Sequence, residues 1–186
     1  MAHPKTAVSR LTPDQYLAGE NDGEVRHEYV DGNVYAMVGA SEAHRILKLN
    51  LAVWLHGHVP ASCRLFDGDM KLRVQNADDI RFYYPDLFIS SGPNDLKQHV
   101  RSDAILVIEI PTPSTQRFDR FEKLHAYTAL PALLDYVLVD QEVPVIEVFC
   151  RRTGWQRERY GLTERLNLES IVQSIDAKTI YNRVFA

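Results

Sequence analysis

A mixed α/β domain is what this sequence predicts, and three stretches predict it. Residues 104–110 form a nearly unbroken apolar run, as a central strand covered on both faces requires. Residues 41–59 carry an apolar stripe wide enough for a helix pressed onto a sheet. Tyr29-Val30-Asp31-Gly32-Asn33-Val34-Tyr35 places Asp-Gly-Asn, which tolerates the positive φ of a tight turn, between two strand-like runs. No repeat, low-complexity tract or linker interrupts the chain, so residues 1–186 are expected to form one domain.

The elements follow in order. Thr12-Pro13-Asp14 is a helix start, and Leu11, Tyr16 and Leu17 give residues 11–20 an apolar side. A turn-rich stretch from Gly19 to Gly23 leads to the hairpin. In the long helix, Ser41 is the expected cap. Ala43, Leu47, Leu51 and Trp54 share a face that Ile46, Leu49 and Val53 widen. Strands are expected at 63–75 and 82–90, joined through Gln75-Asn76-Ala77-Asp78-Asp79. Residues 91–102 read as a loop, punctuated by Gly92-Pro93-Asn94. After the 104–110 strand, Pro111 and Pro113 end the run, and Ser114 or Thr115 caps a helix reaching about Leu130. Strands at 136–139, 145–149 and about 154–160 complete the sheet, and the tail reads as a weakly amphipathic segment.

Composition narrows the function classes. Hydrophobic residues make up 45% of the 186 and charged residues 25%, the balance of a globular chain rather than a disordered one. No apolar run approaches the length of a membrane span, and Met1-Ala2-His3-Pro4-Lys5 has no apolar signal region, so a cytoplasmic location is expected. Cys63 and Cys150 match no metal or redox spacing and read as buried small hydrophobes. His56 and His58 lack a partner pair and face different directions on a helix, so they mark its end. The net charge of −4 argues against a nucleic-acid coat protein, but not against a nuclease whose own metal site is acidic. Basic residues gather at Arg117, Arg120 and Lys123 and around Arg151, Arg152, Arg157 and Arg159; a solvated face is the ordinary reading of such groups.

Two acids carry the chemistry. Tyr84-Pro85-Asp86 runs into Leu87-Phe88-Ile89, and Ile105-Leu106-Val107-Ile108 runs into Glu109. A carboxylate in a buried strand is costly unless a positive charge meets it. Two on neighbouring strands repel, raise one pKa and invite a divalent cation. Lys123 follows on the next helix. Two acids and a lysine at a sheet edge are the apparatus of metal-assisted phosphodiester cleavage. Each residue has a plainer reading. Asp86 can end a strand, and Lys123 can pair with Asp119 at i,i+4 for about 0.3–0.5 kcal/mol. Glu109 closes an apolar run and is the hardest to dismiss.

The order of these segments resembles the PD-(D/E)xK nuclease superfamily, and more narrowly the Uma2 family, also called DUF820. The likeness covers about residues 11–160. It rests on Leu11-Thr12-Pro13-Asp14-Gln15-Tyr16-Leu17, on His27-Glu28-Tyr29-Val30-Asp31-Gly32-Asn33-Val34-Tyr35-Ala36-Met37 and on Tyr84-Pro85-Asp86. It continues through Val107-Ile108-Glu109-Ile110-Pro111-Thr112-Pro113-Ser114-Thr115 and Asp119-Arg120-Phe121-Glu122-Lys123, followed by Tyr127. The resemblance implies a restriction-endonuclease-like core with a mixed central sheet flanked by helices and an N-terminal hairpin. It implies Mg²⁺ or Mn²⁺ held by Asp86, Glu109 and the Ile110 carbonyl, with Lys123 stabilising charge and DNA as substrate. The usual lysine two positions after the second acid is Pro111 here, and Pro111-Thr112 stands where the family carries leucine and serine.

Three positions stand behind these. His44 matches a family histidine and is expected near the metal or as a hydrogen-bonded helix-start residue. Asp69, on the strand before Pro85-Asp86, is a third carboxylate or a cap of the Asp67-Gly68 bulge. Glu28 is expected to approach the site or to pair across the hairpin. Restriction-like enzymes usually cut as dimers, so a homodimer or higher homo-oligomer is expected, with Phe82, Val145 and Phe149 as exposed interface candidates. Two rival functions remain: a nuclease-like module that binds nucleic acid or protein without cleavage, and a hydrolase of smaller phosphoesters.

Overall fold

The structure is a computed structural model describing residues 10–185 except 22, 38, 77, 78, 94, 97, 98 and 114. The expected Ser114 cap, Asn94, and Ala77-Asp78 of the connection lie outside the described residues. Helix α1 (Pro13–Asn21) precedes the hairpin of β1 (His27–Val30) and β2 (Asn33–Ala36). Asp31 at φ 50 and Gly32 at φ 82 make the two-residue turn, which needs positive φ at both positions. Helix α2 (Glu42–His56) is capped by Ser41, whose side chain accepts from the His44 N–H.

The chain then weaves between two sheets. β3 (Arg64–Asp67) and β6 (Leu87–Ser90) belong to a six-stranded sheet, while β4 (Lys71–Asn76) and β5 (Asp79–Tyr83) belong to a five-stranded one. The expected strands 63–75 and 82–90 are therefore each split in two. Gly68-Asp69 turns the first. In the second, Pro85 has no N–H for a ladder, and Tyr84-Pro85-Asp86 carries the chain across. β7 (Val100–Arg101) pairs parallel to β4 inside the expected loop.

β8 (Ala104–Glu109) is buried along its whole length and lies parallel to β9 (Asp135–Val139). Between them, α3 (Gln116–Phe118) passes through a π turn (Asp119–Lys123) into α4 (Leu124–Tyr127), so the helical stretch ends short of Leu130. β10 (Val145–Cys150) and β11 (Arg157–Gly161) complete the six-stranded sheet, ordered β11-β10-β9-β8-β6-β3. The tail holds a hairpin that sequence reading missed, β12 (Arg165–Leu168) with β13 (Gln173–Asp176), and then α5 (Ala177–Ile180).

Alternation along β8 divides the core. Leu106 and Ile108 meet α2 (Leu47, Leu51, Leu55) and the tail (Leu166, Ile175, Ile180). Val107 faces the second core with Tyr83, Tyr127 and Tyr136. The apolar face of α2 is narrower than its sequence suggests, because Leu49 and Val53 point to solvent. Two interface candidates are also corrected. Phe82 is buried against Tyr16 and Tyr29, and Phe149 is buried and stacked on Tyr136. Cys63 and Cys150 are buried free thiols.

Candidate active site

Asp86 and Glu109 face each other where the two sheets meet. The β6–β8 register pairs Leu87 with Ile108, which sets the two acids opposite one another at the next position. Each takes a backbone N–H from the other's strand. Ile110 N–H donates to Asp86 Oδ2 at 2.8 Å, and Asp86 N–H approaches Glu109 Oε2 at 3.4 Å. A ladder that would otherwise pair two main chains is completed through two side chains, and this fixes both carboxylates.

Lys123 reaches the pair from the π turn. Its ammonium donates to Glu109 Oε1 at 3.0 Å and meets Glu28 at 2.9 Å and Asp119 at 3.4 Å. The i,i+4 contact with Asp119 is therefore one of three. A π turn is uncommon and recurs at functional sites. Here it carries Asp119 and Lys123, both buried, against the end of β8. Tyr127, one turn on, donates its hydroxyl to Glu109 Oε1 at 2.9 Å. Glu28 on β1 also takes the Tyr84 N–H at 3.4 Å, tying the hairpin to the crossing strand.

His44 enters from α2. Its Nε2 lies 3.0 Å from Asp86 Oδ1, and its Nδ1 lies 3.0 Å from the Ile110 carbonyl oxygen. Both contacts are to oxygens that the family resemblance implies as metal ligands. Ser41 caps α2 and also donates to Gln141, whose amide in turn donates to the Pro111 carbonyl at 2.6 Å. Thus the helix start and the exit of β8 are held by one chain of hydrogen bonds. Asp69 stands apart: it sits in the β3–β4 turn, mostly exposed, and pairs with Arg26 at 3.0 Å.

The electrostatics are unbalanced. Glu28, Glu109 and Asp119 gather around the Lys123 ammonium, and Asp86 stands beside Glu109. Burial pushes the Glu109 carboxyl up to about 8; Lys123 opposes the rise, while Asp119, Asp86 and Glu28 add to it. Burial works against the Lys123 charge too, but Glu109, Glu28 and Asp119 outweigh it and hold the ammonium well above its usual range. Such an excess of buried negative charge is what a divalent cation relieves.

The donor set suits a hard ion. Two carboxylates and a main-chain carbonyl supply oxygen only, and Mg²⁺ binds through one or two carboxylates with waters and substrate phosphate filling the rest. Among the described residues, no three His, Cys, Asp or Glu side chains form a metal cage by themselves. A groove of about 330 Å³ opens alongside, lined by residues including Leu65, Met70 and Leu87, the neighbour of Asp86. Sequence reading gave no role to Tyr127 or Gln141, and gave Asp119 only an i,i+4 pairing with Lys123. Tyr127 was detectable: Asp119, Lys123 and Tyr127 recur at intervals of four. Gln141 contacts the site only through tertiary structure and left no local signal.

Comparisons agree with this architecture. A model of the Uma2 family, described as "Putative restriction endonuclease", matches residues 13–179. The chain is 31% identical over 186 residues to "Uncharacterized protein slr1290" from Synechocystis sp. (strain ATCC 27184 / PCC 6803 / Kazusa), covering 97% of each. It is 29% identical over 135 residues to "Uncharacterized protein sll1609" of the same organism, covering 70% of this chain and 75% of that protein. Its fold is similar, at a TM-score of 0.77 and 14% identity, to a solved structure from Anabaena variabilis ATCC 29413 described as "a putative nuclease belonging to DUF820". That match covers 94% of this chain and 99% of the other. At that identity the likeness speaks to the fold.

Proposed function

This chain belongs to the Uma2 family, and from that premise we propose that it is a Mg²⁺- or Mn²⁺-dependent endonuclease hydrolysing DNA phosphodiester bonds. The observation that carries the reading is the facing of Asp86 and Glu109 across β6 and β8, beside a surplus of buried carboxylates. Asp86, Glu109 and the Ile110 carbonyl would hold the ion. A bound divalent ion supplies Lewis acidity toward the phosphoryl oxygen and a more acidic water.

The remaining work falls to the chain. Lys123, already desolvated, holds its positive charge against Glu109 and offers it to charge developing on phosphate. Pro111, where the superfamily usually carries its lysine, leaves that duty to Lys123. Tyr127 orients the Glu109 carboxyl by its hydroxyl, and His44 orients Asp86 and the Ile110 carbonyl together.

The test is nicking of supercoiled DNA with Mg²⁺ or Mn²⁺, beside Asp86→Ala and Glu109→Ala. The expected result is metal-dependent nicking that both substitutions abolish. Equal nicking by all three proteins would sink the assignment. DNA binding without cleavage would select the rival reading of a nuclease-like binding module, which the full engagement of Lys123 by three carboxylates favours.

A further inference from the structure

A second cationic feature lies beside the site. Lys71 opens β4, and its residue is 6% exposed. Its ammonium lies 5.6 Å from the centre of the Tyr84 ring, and among the described residues no carboxylate comes within ion-pairing distance of it. Tyr84 is two residues before Asp86, on the segment that crosses between the sheets. Arg26 lies over the same ring at 5.6 Å, but Asp69 neutralises it at 3.0 Å.

Lys48 comes near that segment from α2. It follows His44 by one turn of α2. A Cβ built on Gly68 would stand 3.2 Å from the Lys48 ammonium and 3.7 Å from the Pro85 carbonyl oxygen. Lys48 also has no carboxylate within ion-pairing distance among the described residues. Two ammonium groups with no ion-pair partner among the described residues thus lie near Tyr84-Pro85-Asp86, in a chain whose net charge is −4.

Keeping a buried lysine without a directly paired acid is costly, and burial lowers the Lys71 pKa although Glu20 nearby opposes the fall. The same arrangement is favourable when an anion from solution completes it. A phosphodiester backbone leading to the acid pair presents such anions at regular spacing. A nearby aromatic ring gives the lysine stem a packed bed and keeps its position fixed.

We infer that Lys71 and Lys48 form a phosphate-binding rim that holds the DNA backbone beside Asp86. The inference deepens the nuclease reading and rests on it for the identity of the anion. These are positioning residues, and they act on binding rather than on the bond that breaks.

The experiment is anisotropy of a labelled duplex of random sequence with the full chain in EDTA, where metal-dependent cleavage is silent, over a series of salt concentrations. Lys71→Met and Lys48→Met are each expected to weaken binding about equally across sequences. Each should flatten the slope of log affinity against log salt by about 1. Lys71→Arg is expected to restore the wild-type slope. Circular dichroism melts separate this from a folding defect: a lowered Tm with an unchanged slope would assign Lys71 to structure and overturn the inference. Wild-type slopes in both methionine variants would overturn it as well, even where the protein nicks DNA. Lysine-dependent binding by a protein that never cleaves would support the rim while overturning the cleavage reading.

Discussion

Glu109 is where the physical argument concentrates. Burial raises its carboxyl from an ordinary value of 4.5 to about 8, so the fold favours the protonated form. A group raised in this way contributes stability that is complete below about pH 4.5 and lost as pH rises through about 8. In EDTA, the urea midpoint should therefore fall across that window, and Glu109→Gln should flatten the fall. Divalent ions favour the ionised carboxylate, so Mn²⁺ affinity should rise with pH over the same window with release of a proton. Calorimetry in buffers of different ionisation heat reads that proton directly. Lys123 gives the converse case. Lys123→Met leaves Glu28, Glu109 and Asp119 facing one another without their cation, and removing one partner of a buried pair costs about 3–5 kcal/mol. A large loss of Tm in metal-free buffer, partly recovered by adding Glu109→Gln, is the expected outcome. The acids were legible in sequence because a charge at the boundary of an apolar run is conspicuous. Glu28 and His44 were legible only through family likeness, because nothing local marks a residue whose partners lie 95 and 42 positions away in sequence, as Lys123 and Asp86 do.

Elements place these residues by simple devices. Proline breaks a ladder at Pro85 and lets the chain change sheets, and that crossing delivers Asp86 to the end of β8. The cap at Ser41 sets where α2 begins and so where His44 points. Ser41→Ala should cost about 1 kcal/mol from the cap, with a further loss through Gln141 and the Pro111 carbonyl. Urea unfolding measures the first, and weakened Mn²⁺ binding in the same variant reads the second. Element boundaries were less legible than element types. The helix stripe, the hairpin and the strands at 104–110, 136–139 and 145–149 follow from periodicity. The Gly68-Asp69 turn and the π turn do not, since both depend on a neighbouring sheet to hold them. The tail hairpin escaped because its apolar residues, Leu166, Leu168, Ile171 and Ile175, are few and widely spaced. They acquire meaning only against α2.

At the scale of the whole molecule, one sheet separates two cores and the site sits at its rim. β8 feeds both cores, so its packing governs how accurately Glu109 is held. Leu106→Ala should cost about 2–5 kcal/mol through the cavity it opens, read as a lower urea midpoint. The same variant should lose metal affinity less steeply than stability, because the acids stay anchored by backbone N–H groups on both strands. Fold class and overall order were legible because periodicity and turn chemistry are local. Burial of Phe82 and Phe149 was not, because only the assembled sheets show which face of each strand meets aromatic neighbours. The most direct test of the central claim is a crystal structure with Mn²⁺ soaked in, read by anomalous scattering. A peak between Asp86, Glu109 and the Ile110 carbonyl, with the Lys123 ammonium still against Glu109, is the expected result. Full-occupancy Mn²⁺ elsewhere on the protein and none between these two acids would contradict it.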